Sequence, residues 1–307
     1  MQQARTLCGP RSTEGASMVD AVILIPSFIN GLTTGALYAL VALGLTLIYG
    51  VLHIINFAHG AMLMMALYGV YFLHQLFGID PYVSLLIVPP AMFAIGYVLQ
   101  RFVISKASHG RDENILLVTL GMSIIIENLA LYFFRSDTRT IETPYSFEVV
   151  EFAGAFLPLP KVVAFFGALI TAGLLWVFMA RTDLGRAIRA LAKERKGARL
   201  VGIDVEHVFA MSFGIGIACL GVAACLLLPS YYVSPQVGYS FVLIAFTIVV
   251  LGGMGSFIGA MIGGLIIGIV EAMGGLFLGE SLGQVGIFAI FILILLFRPT
   301  GLLGHKV

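Results

Sequence analysis

Six polar side chains sit inside or beside stretches apolar enough to cross a membrane: His53, Asn56, His59, Glu127, Asn128 and Glu271. Ionisable or amide groups at membrane depth are costly, so each is a candidate for function. They could line a solute path, take part in a proton-linked step, or bond one helix to another. His53 and His59 flank Asn56 where the apolar pattern breaks, in IINFAHG. His59 has two readings, a path group or a histidine satisfied at a helix interface, and the second is preferred. Glu127 lies about halfway along its apolar run, as a path group or a protonated structural carboxyl. Glu271 lies toward the outer end of its run, close enough to the surface to be solvated.

A second cluster is cationic. The segment Arg181–Glu206 carries Arg181, Arg186, Arg189, Lys193, Arg195, Lys196 and Arg199 against Asp183, Glu194, Asp204 and Glu206. Leu184, Ile188 and Leu191 recur at helical spacing, with Arg189, Lys193 and Lys196 on another face. Gly185 stands at the start of this helix, and Gly197 and Gly202 read as breaks. Such an amphipathic helix could insert its apolar side into a partner's groove. On composition alone a loop lying against lipid headgroups is the preferred reading.

Several chemistries are missing from the chain. It has no phosphate-binding G-x-x-x-x-G-K-[ST], no H-E-x-x-H and no nucleophile elbow. Energy from a nucleotide would therefore come from another polypeptide, and a membrane enzyme is a poor alternative. Cys8, Cys219 and Cys225 suggest neither a disulfide framework nor a metal site.

The elements that must position these groups are membrane helices. Of 307 residues 60% are hydrophobic and 11% charged, less than half the charged share of a soluble domain, about a quarter. The apolar runs are Ala21–Leu40, Val41–Asn56, Ala61–Phe77, Tyr82–Ile104 with Pro89-Pro90, Asn114–Phe134, Val162–Ala180, Val208–Leu228, Phe241–Leu251, Phe257–Gly275 and Gln284–Phe297. The fold class is all-α polytopic membrane protein, with about eight transmembrane helices within a range of seven to ten. Residues 1–20 read as a disordered tail or as sequence ahead of a true start at Met18; residues 21–307 read as one transmembrane domain with its polar segment at 181–206. Lys and Arg mark the cytoplasmic side. That places the loops near residues 105 and 194 inside and the mildly acidic stretch near 148 outside. Two runs are short and glycine-interrupted: Val41–Tyr49, broken by Gly50 and ended by Asn56-Phe57-Ala58-His59-Gly60, and Phe241–Leu251, broken at Gly252–Gly255; small residues that merely pack helices are the alternative reading. Such a pair in corresponding positions points to a translocation path lined by broken helices, and selects Asn56, His59, Glu127, Gly252, Gly253 and Gly255 as its lining.

Four blocks in order carry a resemblance to a known family: Val41–Gly60 ending NFAHG, then LGRAIRALAKERKGARLVGID, then LGGMGSFIGAMIGGLIIGIVE, then FRPTGLLG. From about Gly31 to Gly304 the chain resembles the LivH-type permease of branched-chain amino acid ABC importers. The resemblance implies a non-catalytic membrane subunit of the bacterial cytoplasmic (inner) membrane. It would pair with a second, LivM-like permease, two cytoplasmic ATPases carrying ATP and Mg, and an extracytoplasmic solute-binding protein. The cargo would be leucine, isoleucine, valine or a related small amphipathic solute. The chain itself would hold no cofactor. The resemblance makes the central segment an ATPase coupling region, with Leu184, Gly185, Arg186, Ile188, Arg189, Leu191, Lys193, Gly202 and Ile203 in that role, and so reverses the headgroup reading. Two positions depart from the family pattern: Ala61 follows NFAHG where an acidic residue is frequent, and Gly197 stands where alanine is common. The competing class is a stand-alone secondary transporter or channel using Glu127 or His59 as its proton-linked group, which has no need of an ATPase dock.

Overall fold

The computed structural model describes residues 13–108, 112–152, 155–279, 283–298 and 301–303. Cys8, Arg111, the Pro299-Thr300 pair of the last block and Lys306 lie outside the described residues.

The described residues are almost entirely helical, as the apolar runs require. In chain order they are α1 (Thr13–Leu52), α2 (His59–Phe77), α3 (Val88–Val98), the short α4 (Ser105–Ser108), α5 (Asp112–Phe134), α6 (Leu159–Arg181), α7 (Asp183–Lys193), α8 (Arg195–Leu200), α9 (Val205–Leu227), α10 (Val237–Gly252), α11 (Phe257–Leu278) and α12 (Gly283–Phe297). Seven helical stretches among the described residues are long and apolar enough to cross a bilayer, and α10 and α12 are shorter apolar helices. A two-stranded antiparallel hairpin, β1 (Val149–Phe152) with β2 (Ala155–Pro158), lies in the stretch expected to be outer loop.

Two expectations about elements are corrected. Ala21–Leu40 and Val41–Asn56 are not separate segments: α1 runs unbroken from Thr13 to Leu52, through Gly50. One glycine costs only about 1 kcal/mol in a helix, and neighbours that bury this stretch outweigh it. The helix also takes in residues 13–20, which read as irregular. Within its span the Pro89-Pro90 pair sits in the first turn of α3, after a 3-10 turn at Val83–Leu86. There the missing N–H groups have no intrahelical partner to lose.

Helix α1 is the pillar. In its spanning part 89% of the most apolar window is buried within the chain, and in α9 78%, against 17% for α5 and 22% for α6. The last two helices turn large apolar side chains outward, including Tyr132, Leu174 and Trp176. Bilayer or neighbouring subunits must cover them, because apolar surface of that extent is not stable in water. Along α1 the contact with α11 is backbone to backbone. A Cβ at Gly35 would meet the Gly264 carbonyl oxygen at 2.7 Å, and one at Gly31 would meet the Gly268 carbonyl oxygen at 2.8 Å. Small residues allow this approach, which in lipid is the main source of helix association.

The two faces of the bundle differ in charge. On one, α7 and α8 expose Arg186, Arg189, Lys193, Lys196 and Arg199, and Arg101 pairs with Glu206 at 3.1 Å. On the other, the Tyr145 hydroxyl donates to the Asp80 carboxylate at 2.9 Å and stacks on Tyr82. Arg139 and Val233 exchange backbone hydrogen bonds there. Burial and the Asp80 bond hold the Tyr145 phenol well above its ordinary range, and burial pushes Tyr82 up to about 12. Both phenols therefore stay protonated at physiological pH. Tyr145→Phe is expected to cost about 1 kcal/mol, and to raise protease cleavage within residues 135–148 without changing the basic face.

Candidate translocation and coupling sites

The chain after α1 turns back into the bundle. His53 takes positive φ (57°). The Asn56 side-chain oxygen accepts from the Ala58 N–H at 3.1 Å, and the Asn56 carbonyl accepts from the His59 N–H. Helix α2 then begins beside Val41, whose carbonyl oxygen lies 3.0 Å from His59 Nε2. Val41 is 11 residues before the end of α1, so α2 starts about 16 Å back along the pillar. At the same depth Gly60 abuts Gly238, where α10 begins. Two helix N-termini thus meet inside the bundle, neither with a side-chain cap. The Thr119 hydroxyl of α5 accepts from the Phe57 N–H and ties the break to a third helix. A cavity of about 270 Å³ opens at this junction, with Phe57, Ala61, Glu127, Gly238 and Val242 in its wall.

The expected path residues are therefore divided between two places. Glu127, on α5, is half-buried and shares the junction cavity with the residues around Asn56. His59 is fully enclosed, with Gly44 of α1 at its ring; its Nε2 contact with the Val41 carbonyl ties two helices together, while its Nδ1 is buried with no partner among the described residues, so the ring is satisfied on one side only. Asn56 is likewise buried and bonded to its own turn. Gly252, Gly253 and Gly255 lie at the other end of α10, about 20 Å from Gly238 along the helix. There Gly253 and Gly255 take positive φ (96° and 89°), and Ser256 caps α11 by accepting from the Gly259 N–H. The closing block docks on this break. The Leu302 and Leu303 N–H groups donate to the carbonyls of Leu251 and Gly252 at 2.8 and 3.2 Å, satisfying orphan acceptors at the end of α10.

The central segment forms two helices. Thr182 caps α7 by accepting from the Gly185 N–H at 3.0 Å, and Asp183 stands in the first turn, where its charge suits the helix dipole. Gly202 is a break, with φ 86°. Gly197 is not: it lies within α8, and the interruption falls at Glu194, which is extended and caps α8 through the Lys196 N–H. The apolar side of α7 is already occupied. Ile188 and Leu191 are buried against Leu47, Val51, Leu175, Met179 and Val208 of the same chain, and Gly185 rests on the Met179 backbone. What faces outward is the cationic side and one apolar pair, Leu200 (88% exposed) and Val201 (78% exposed). Alternation of charge could not single out this pair, because Leu200-Val201 reads like the start of the next apolar run. Arg195 reaches inward, donating to the last carbonyl of α1 at Leu52 and lying over the Phe209 ring. Asp204 caps α9 through the His207 N–H, which holds its carboxyl below the usual range.

Residues that the sequence reading passes over are Lys161, Asn30 and Tyr38. A signal was present: Ser27, Asn30, Thr34 and Tyr38 recur at helical spacing along an otherwise apolar helix.

Comparison with known proteins fits this arrangement. Residues 27–296 match the family model described as branched-chain amino acid transport system / permease component. The high-affinity branched-chain amino acid transport system permease protein BraD of Pseudomonas aeruginosa is 36% identical over 92% of this chain and 96% of its own length. The LivH proteins of Salmonella typhimurium and Escherichia coli, described in the same words, are 34% identical over 90% of this chain and 94% of their own length. The D-allose transport system permease protein AlsC of Escherichia coli is more distant, at 28% over 77% of this chain. No solved structure gives a significant match. With a match across nearly its whole length, the chain belongs to the branched-chain amino acid transport permease family and is a multi-pass membrane protein of that kind.

Proposed function

We propose that this chain is the non-catalytic permease subunit of an ATP-driven importer in a bacterial inner membrane, and that its cargo is leucine, isoleucine or valine. The observation that carries the reading is the pairing of full-length similarity to branched-chain amino acid permeases with a solvent-facing cationic element, α7–α8, anchored on the central helix. A carrier working alone has no use for such an element. Two cytoplasmic ATPases, binding ATP and Mg, would grip it, while a LivM-like second permease would cover outward apolar faces such as those of α5 and α6. A solute-binding protein would deliver cargo to the opposite face. The coupling surface in this reading is Arg186, Arg189, Lys193 and the Leu200-Val201 tip. Leu184, Gly185, Ile188, Leu191, Gly202 and Ile203 serve from behind, setting where that surface stands. Rigid-body movement of α7 on closure of the ATPases would pass to α1 through the buried Ile188–Leu191 contact and the Arg195 bond.

Proteoliposomes holding the whole assembly with ATP enclosed, and the loaded binding protein outside, are expected to accumulate labelled leucine. Omitting the ATPases should abolish accumulation. Uptake that persists without them would instead support a stand-alone carrier.

A further inference from the structure

A second cavity, of about 640 Å³, lies across the membrane from the basic face. Its position follows from α6. Lys161 is at the start of that helix, and Arg181, 20 residues on, leads into α7, so the two are about 30 Å apart. The cavity wall carries one cation and one anion, Lys161 and Glu271, which form no ion pair with each other or with any other described residue. The Lys161 ammonium donates to the Asn30 side-chain oxygen at 2.7 Å, leaving two of its three donors uncommitted. Tyr38 lies in the same cavity wall as Glu271. The floor is apolar and aromatic: Phe241 meets Tyr38 and Tyr231 edge to face at 5.8 and 5.6 Å, and Leu37 lies beside it. Phe241 is one turn into α10 from Gly238, so the same helix lines both this cavity and the α2–α10 junction.

We propose that this cavity binds the transported solute as a zwitterion, its carboxylate on Lys161, its ammonium on Glu271, and its apolar side chain against Leu37 and Phe241. The proposal rests on the amino acid cargo given above and adds how the permease itself recognises it. A zwitterion brings its own charges to match both walls, so neither Lys161 nor Glu271 is left without a counter-charge while the site is shielded from water. Compounds carrying only one of the two charges leave the other wall uncompensated and are rejected. A solute released through the Phe241 floor arrives at the junction beside Glu127.

The test uses the complete assembly, with the three native cysteines replaced by alanine and Thr34→Cys placed in the cavity wall. L-leucine is expected to slow maleimide labelling of that thiol at least fivefold. 4-Methylpentanoate, which lacks the ammonium, and 3-methylbutylamine, which lacks the carboxylate, should change it less than 1.5-fold. Equal protection by all three, or none by leucine, overturns the proposal. Separately, Lys161→Met and Glu271→Gln should each cut leucine uptake at least tenfold at equal amounts of assembled complex. ATPase stimulation by the loaded binding protein should stay within twofold, and Lys161→Arg should retain transport. Normal uptake by both neutral variants, in a wild-type assembly that does move leucine, sinks the cavity site and leaves the importer reading standing: Lys161 is then merely a lysine reaching solvent. A wild-type assembly that moves no amino acid removes both. Should a neutral variant fail to assemble, the labelling result decides.

Discussion

The double change Arg186→Glu and Arg189→Glu is expected to reduce ATP-driven uptake by about two orders of magnitude, with the permease still present in the membrane at its normal level. Both side chains point away from the bundle. Among the described residues Arg186 pairs with Asp183 on its own helix, and that pair is largely solvent-exposed, so it adds little to folding. Reversal therefore leaves the fold near its original stability and changes what a partner meets. Truncating one partner of a charge pair that an interface buries costs about 2–5 kcal/mol, and reversing two places repulsion where attraction stood. The readout is ATP-dependent leucine uptake beside pull-down of the ATPases by the permease. Both should fall together, and salt should weaken the wild-type association as it screens surface charge. Unchanged association with full uptake would mean that the cationic face touches no motor. Leu200→Ser isolates the apolar part of the same surface: at 88% exposure it should leave stability within about 0.5 kcal/mol while weakening ATPase association severalfold. Gly185→Leu acts differently. A side chain there collides with the Met179 backbone, so the expected defect is loss of the docked helix and of uptake, even where ATPase contacts remain chemically intact.

The reach of the sequence is uneven, for physical reasons. Long apolar runs and the gathered positive charge announce a membrane bundle with a polar element on one side, because both depend on composition over many residues. Boundaries that depend on a single residue are less visible. Gly50 reads as a break and is not, since tertiary burial overrides a one-residue propensity; Glu194 breaks the central segment while Gly197 does not, because the capping bond to the Lys196 N–H decides it. The pairing of broken segments was half legible. The α10 end at Gly252–Gly255 stands as read, and so does the break leading into Asn56–Gly60, which falls in the turn between α1 and α2; only Gly50 is no interruption. Nor could spacing alone show that the path candidates fall at opposite ends of α10. That separation arises from the return of the chain to Val41, a contact between residues 18 apart in sequence. The Lys161–Glu271 cavity was harder still, since its two charges come from helices α6 and α11, far apart along the chain, and only the polar stripe on α1 hints that they share a wall.

Gly35→Val should be severely damaging within the membrane, with the folded permease falling below detection in thermal or proteolytic assays. The reason is that the obstruction is main chain. A Cβ at residue 35 would stand 2.7 Å from the Gly264 carbonyl oxygen and 3.0 Å from the Leu265 Cα, and neither can rotate away as a side chain would. Overpacking ordinarily costs about 1–3 kcal/mol because neighbouring side chains adjust; here the whole of α11 has to retreat from α1. Retreat would also open the cavity wall that Tyr38 and Glu271 share and shift Ser27 from the Ala272 carbonyl it donates to at 3.3 Å, so any molecule that survives should lose transport. Gly69, on α2, is the control. Nothing lies within 4 Å of a Cβ there, so Gly69→Ala should be neutral or stabilising by up to about 1 kcal/mol through its gain in helix propensity. If the two variants proved equally stable, close approach of α1 and α11 would not be what holds the bundle together, and the pillar would have to draw its support from α9 and the α2–α10 junction instead.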